Sequence, residues 1–121
     1  MAEKIIGTGV DITEVRRLRQ AIERWGEEFL KRIFTNEELN NAKTRESFYQ
    51  HLAGRFAAKE AVFKALGNKG LTWKDVQILN DKDGKPYCLL FNNKNKKLDV
   101  HISISHVKNY AVAQAIITQK A

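Results

Sequence analysis

Cysteine occurs once in the 121 residues, at Cys88, and proline once, at Pro86. A single thiol excludes an internal disulfide and makes a reducing compartment the natural setting. Its place in the apolar run Tyr87 to Phe91 marks it as a small buried hydrophobe rather than a nucleophile. No proline- or serine-rich linker divides the chain and no internal repeat is visible, so the length reads as one domain over residues 1–121. A pocket built wholly from so short a chain would be tight, which raises the prospect of a site between subunits. No apolar run approaches membrane-spanning length. The N-terminal MAEKIIGTGVD carries an early acid and only a short apolar run, unlike a secretory signal, so the expectation is a cytoplasmic protein with no membrane partner. There is no P-loop and no GxGxxG, the GTG of Gly7 to Gly9 is too short to be a phosphate fingerprint, and no His/Cys spacing suggests zinc. Acids are the minority charge: Asp+Glu 14 against Lys+Arg 21, a formal net charge of +7. That excess attracts polyanions, whether nucleic acid, anionic lipid, a phosphate-rich cofactor or an acidic protein.

Periodicity sets the elements. Lys4 to Val10 reads as a short strand weakened by Gly7 and Gly9, which permit close backbone approach. Asp11 or Thr13 offers an N-cap for a helix in which Ile12, Val15, Leu18 and Ile22 recur at helical spacing, with a stop at Gly26. This helix carries Arg16, Arg17, Arg19 and Arg24. A second short helical piece covers Glu28 to Ile33. Thr35 and Glu38 have the form of a capping box, so another helix begins near Asn36 and is broken between Asn40 and Glu46. The pattern resumes from Ser47 to Leu66, with Gly67 as C-terminal cap. The second half switches to strands at Val76 to Leu79, Pro86 to Phe91, Leu98 to Ser105 and Tyr110 to Thr118, with turns at Asp83-Gly84 and His106 to Asn109. Asn92 to Lys97 is a polar, basic loop and the expected disordered stretch. The whole is an α+β layout, an N-terminal strand and helices followed by an antiparallel β meander.

Glu60 is the most telling residue. Leu52, Phe56, Phe63 and Leu66 line one helical face, and Glu60 borders that stripe four residues after Phe56 and three before Phe63. A carboxylate drawn out of water needs a partner. Lys64, one turn on, can form an ordinary surface pair with it. Alternatively, Glu60 shares a divalent cation with Asp11, since two carboxylates with waters and phosphate oxygens form the hard-oxygen shell that Mg²⁺ prefers. Asp11 has its own simpler reading as a helix cap. Lys59 lies within the stripe, where it can snorkel its ammonium to the edge or reach a phosphate. Arg55, Lys59 and Lys64 together suit a site that holds a pyrophosphate, or else make a solvated basic face. In HISISH, residues 101 to 106, alternation indicates a half-buried strand with His106 at its tip, incidental or functional. His51 and His101 have no stronger claim.

Taken in order, GTGVDITEV, TNEEL, RFAAKEAVFKALG, DGKPY and HISISH span nearly the whole chain and closely resemble the holo-acyl-carrier-protein synthases of the 4′-phosphopantetheinyl transferase superfamily. The central segment is the specific one. The resemblance implies that Asp11 and Glu60 hold Mg²⁺ on the pyrophosphate of coenzyme A. The 4′-phosphopantetheine arm then passes to a serine of apo acyl carrier protein, leaving adenosine 3′,5′-bisphosphate, in fatty acid biosynthesis. It further implies a homotrimer with sites between neighbouring subunits, and docking of the acidic carrier protein on Arg17 and Arg24 of the first helix. Lys64 matches a lysine that contacts phosphate or assists proton transfer, and Asp11, Glu60 and Lys64 form the expected catalytic set. Arg55, Lys59, Lys64 and His106 match positions that line the coenzyme A pocket. Thr8 departs from the family, which usually has an apolar residue there, a change that bears on local packing.

Two other functions fit parts of the chain. A small nucleic-acid-binding domain is supported by net charge and by Lys94, Lys96 and Lys97, but no exposed aromatic stacking set or nucleic-acid motif accompanies them. A Mg²⁺-dependent phosphohydrolase would use the same Asp11 and Glu60.

Overall fold

The structure, a computed structural model, describes residues 3–67, 70–92 and 97–120. Strand β1 (Lys4–Glu14) leads into α1 (Val15–Ile33), α2 (Asn36–Lys43) and α3 (Phe48–Leu66). A single 3₁₀ turn, Trp73–Asp75, precedes β2 (Val76–Asn80), β3 (Pro86–Leu90), β4 (Leu98–His106) and β5 (Tyr110–Gln119). The α+β layout holds. The second half, however, is not one continuous meander: β1, β5 and β4 form a three-stranded antiparallel sheet in that order, and β2 and β3 form a separate two-stranded one. Of the expected loop Asn92 to Lys97, residues 93–96, with Lys94 and Lys96, lie outside the described residues.

Helix α3 packs across the larger sheet because both surfaces are made of small residues. Ala57, Ala58 and Ala61 on the helix and Ala111, Ala113 and Ala115 on β5 are all buried. A Cβ placed on Gly7 or Gly9 would stand 2.0 Å from the carbonyl oxygen of Ala65 or Ala61 respectively. That is an impossible contact with backbone, so the glycines expected to permit close approach are required there. Leu52, Val62 and Leu66 extend the helix's buried side, and each large apolar group sheltered this way is worth roughly 1.5–3 kcal/mol relative to exposure. Phe56 and Phe63 sit only half-buried at its margin, where Trp73 stacks on Phe56 at 5.1 Å and meets Phe63 edge-on at 5.2 Å.

Local signals explain most element ends. Thr35 and Glu38 form the capping box of α2, the Thr35 hydroxyl accepting from the Glu38 N–H at 3.2 Å. Gly67 ends α3 in the left-handed region at φ 72°. Gly26, at φ 61° and ψ −140°, is non-helical, so the expected stop stands and α1 consists of two helical pieces that meet across a kink. The start of α1 differs from expectation. The strand continues through Asp11 and Thr13 to Glu14, which occupies the N-cap position without a side-chain cap bond. Cross-strand pairing explains the extension, because Asp11 and Thr13 are in register with Ala113 and Ala111 of β5. Neither residue caps the helix.

Candidate active site

Because side chains alternate along a strand, Asp11 shares the helix-facing side of β1 with Gly7 and Gly9. The glycines draw α3 against the strand, and this brings Asp11 to the helix segment that carries Glu60 and Lys64. The Lys64 ammonium lies 3.3 Å from Asp11 Oδ1 and donates to the Val10 carbonyl at 3.0 Å. The Thr13 hydroxyl donates to Asp11 Oδ2 at 2.9 Å, which fixes the carboxylate's orientation. Asp11, Glu60 and Arg17 line one cleft of about 340 Å³, whose apolar wall is Leu18, Phe29 and Phe56. Burial raises the Glu60 carboxyl above its ordinary value, the negative charge of Asp11 raises it further, and Lys64 opposes both.

That arrangement fits a divalent cation. Asp11 and Glu60 share one cleft, with Glu14 also on its wall, and Glu60 makes no hydrogen bond or ion pair among the described contacts. No cluster of three or more His, Cys, Asp or Glu side chains exists among the described residues. Two oxygen donors with open coordination positions match Mg²⁺, which keeps several waters and pairs with phosphate oxygens. The reading of Glu60 as a partner of Lys64 alone is not what the structure shows, since Lys64 turns to Asp11 instead.

Lys59 corrects the sequence reading. Its side chain neither snorkels nor reaches a pocket: it is wholly buried, with its ammonium 2.7 Å from Glu38 Oε1. It also donates to the carbonyls of Ile33 at 2.8 Å and Trp73 at 3.0 Å. Glu38 in turn accepts the backbone N–H of Thr35 at 2.8 Å and of Ile78 at 2.7 Å. Burial pushes the Lys59 ammonium below its ordinary value while Glu38 pulls it back. The pair ties α2, α3 and β2 into one unit. Glu38 escaped notice as a site-supporting residue because its capping role already accounted for it; the overlooked signal was a lysine in an apolar stripe, which demands a buried counter-charge.

Arg55 and His106 fall elsewhere. Arg55 precedes Glu60 by five residues, which on an α-helix is about 140° around the axis, and it is not among the residues lining the Asp11 cleft. It is 6% exposed and donates from Nη2 to Asn80 Oδ1, while its Nε has no partner. Asn80 passes the connection on, donating to the Gly84 carbonyl at 2.7 Å in the β2–β3 turn. Burial lowers the Arg55 guanidinium to about 10, as does Arg45 nearby, against Glu38. The buried imidazole of His51 is lowered to about 3, first by burial and then by Arg55, Arg45 and His106. Four basic side chains therefore gather at this second place, with His106 exposed at the end of β4. Sequence reasoning missed Arg45, His51 and Asn80, whose polar neighbours gave no periodic signal.

Arg17 is exposed on α1, and Arg24 is exposed on the same helix with its guanidinium 4.9 Å over the Trp25 ring. Burial raises the Cys88 thiol to about 12, which fits a packing role. No helix among the described residues is long and apolar enough to cross a membrane.

Residues 7–115 match the model of the 4′-phosphopantetheinyl transferase superfamily. The holo-[acyl-carrier-protein] synthase of Thermodesulfovibrio yellowstonii is 46% identical over 117 residues, covering 94% of this chain and 99% of that protein. A crystal structure of the corresponding synthase from Bacillus anthracis, in complex with CoA (3′,5′-ADP), superposes with a TM-score of 0.85 at 37% identity, covering 98% of this chain and 100% of that one. The Helicobacter pylori synthase in complex with coenzyme A superposes with a TM-score of 0.82 at 28% identity, over 91% and 98% of the two chains.

Proposed function

The chain belongs to the 4′-phosphopantetheinyl transferase superfamily, and from that premise we propose that it is a holo-acyl-carrier-protein synthase whose reaction depends on Mg²⁺ held by Asp11 and Glu60. The enzyme transfers 4′-phosphopantetheine from coenzyme A to a serine of apo acyl carrier protein, a step of fatty acid biosynthesis that belongs in the cytoplasm. The serine oxygen bonds to the phosphorus bearing the pantetheine arm, its proton passes to Glu60 or to a water in the cleft, the phosphoanhydride bond breaks, and adenosine 3′,5′-bisphosphate departs with the displaced electron pair. The observation that carries this reading is the shared cleft of Asp11 and Glu60, with the Lys64 ammonium 3.3 Å from Asp11.

When bound, the cation would neutralise the diphosphate and the charge growing on the leaving group. Lys64 adds a mobile positive charge for the phosphates, and Arg17, on the cleft wall, and Arg24 attract the acidic carrier protein. A homotrimer completes the site. Arg55 and His106 stand apart from the Asp11 cleft within one chain, and a neighbouring subunit would reunite the two halves around one coenzyme. The outer face of the larger sheet supports subunit contact: Val10 is 59%, Ile12 66% and Val112 38% exposed, with Ile12 directly opposite Val112. An apolar strip left bare in a lone chain suits a symmetric assembly.

Incubating the protein with coenzyme A, Mg²⁺ and apo acyl carrier protein should add one phosphopantetheine to the carrier by mass spectrometry. Release of inorganic phosphate without transfer would instead identify a phosphohydrolase.

A further inference from the structure

Asp11 has two oxygens, and both are engaged in the structure. Oδ2 accepts from the Thr13 hydroxyl at 2.9 Å, a neutral donor that orients the group. Oδ1 faces the Lys64 ammonium at 3.3 Å. Each oxygen keeps a further lone pair, but only at Oδ1 does a cation meet a like charge, the Lys64 ammonium, while the Glu60 carboxylate is left uncovered by any hydrogen bond or ion pair among the described contacts. We infer that Lys64 is a built-in competitor for the divalent cation, holding Asp11 in the cation's absence and leaving it when the cation binds. The inference rests on the proposed placement of the metal at Asp11 and Glu60.

The molecule's two lysine–carboxylate pairs on α3 show why this one can give way. Lys59 is fully buried and spends its ammonium on three acceptors, so it cannot move without orphaning them. Lys64 is 54% exposed, and beyond Asp11 it holds only one backbone carbonyl at the surface. An ion pair whose lysine lies in solvent is held loosely on that side, although its Asp11 partner is only 16% exposed, and a divalent ion on the same oxygen replaces one positive charge by two. Released, the ammonium stays tethered one turn beyond Glu60, within reach of anionic groups of the substrate. It thus exchanges a carboxylate for the phosphates on loading, and positive charge is never absent from the cleft.

The test measures metal binding in the coenzyme-free protein, following free Mn²⁺ by electron paramagnetic resonance. Lys64→Met should bind Mn²⁺ about two- to five-fold more tightly than the wild type, the span expected from removing an ion pair whose lysine is exposed. Lys64→Arg should resemble the wild type, and Asp11→Asn should lose binding. Equal or weaker binding by Lys64→Met, alongside loss in Asp11→Asn, would overturn the competition and leave the metal's placement standing. Should Asp11→Asn and Glu60→Gln bind as the wild type does, or no protein bind Mn²⁺ at all, the placement falls and the inference with it.

Discussion

Replacing Lys59 by methionine should cost the fold about 3–5 kcal/mol, the range for breaking a buried ion pair from one side. Methionine matches the length of the stem but offers no donor. The change would strip Glu38 of its 2.7 Å counter-charge and leave the carbonyls of Ile33 and Trp73 without their donor. Glu38 keeps the N–H groups of Thr35 and Ile78, which holds the loss within that range rather than above it. Against a total stability of about 5–15 kcal/mol, the variant would be marginal. Urea unfolding followed by far-ultraviolet circular dichroism gives the number directly, as a lowered midpoint at unchanged slope. Adding Glu38→Gln to Lys59→Met should cost less than the two single changes summed, because the second removes the charge that the first leaves stranded. A single variant within about 1 kcal/mol of wild type would refute this assignment. A stable variant with only a raised KM for coenzyme A would return Lys59 to the substrate pocket.

Three further variants have expected outcomes. Glu60→Gln should reduce transfer at least about 100-fold, the scale seen when one preorganised electrostatic group is removed. Because the folded Glu60 pKa is raised, wild type loses stability as pH climbs from the ordinary carboxyl value through the raised one. The Gln variant lacks that loss and should melt higher than wild type at pH 8 in metal-free buffer, with the gap closing toward pH 4. Arg17→Glu should raise the KM for carrier protein on the order of tenfold at low salt and shrink that effect at high salt, with a smaller loss of coenzyme A affinity because Arg17 also lines the cleft; equal loss of both would tie the arginine to the coenzyme rather than to docking. His51 titrates near 3 when folded rather than at its ordinary 6.5, so the unfolded chain takes up a proton that the folded one refuses, and stability should fall as pH drops through that interval. His51→Gln should flatten the slope in pH-dependent chemical unfolding.

The capping box at Thr35, the terminator at Gly67 and the alternation of HISISH all stand as read. The start of α1 was misplaced because Asp11 and Thr13 are good caps in isolation, whereas here they are held by long-range pairing with β5, which no local pattern encodes. Glu60 was legible because a carboxylate beside an apolar stripe is an energetic anomaly. Lys59 was equally anomalous, yet its explanation lay at Glu38, in another helix. The second basic cluster stayed hidden since Arg45, His51 and Arg55 acquire their meaning only when β2 and the end of β4 arrive beside α3.

The two glycines of β1 have a consequence for how this enzyme can change over time. Where they meet α3, main chain rests on main chain, with no side chain interposed as a spacer. The gap between the strand bearing Asp11 and the helix bearing Glu60 is thus set by the thickness of the peptide backbone itself. Hydrophobic residues elsewhere in the interior can exchange volume with one another without altering that gap, whereas a single methyl group at Gly9 would wedge the two carboxylates apart.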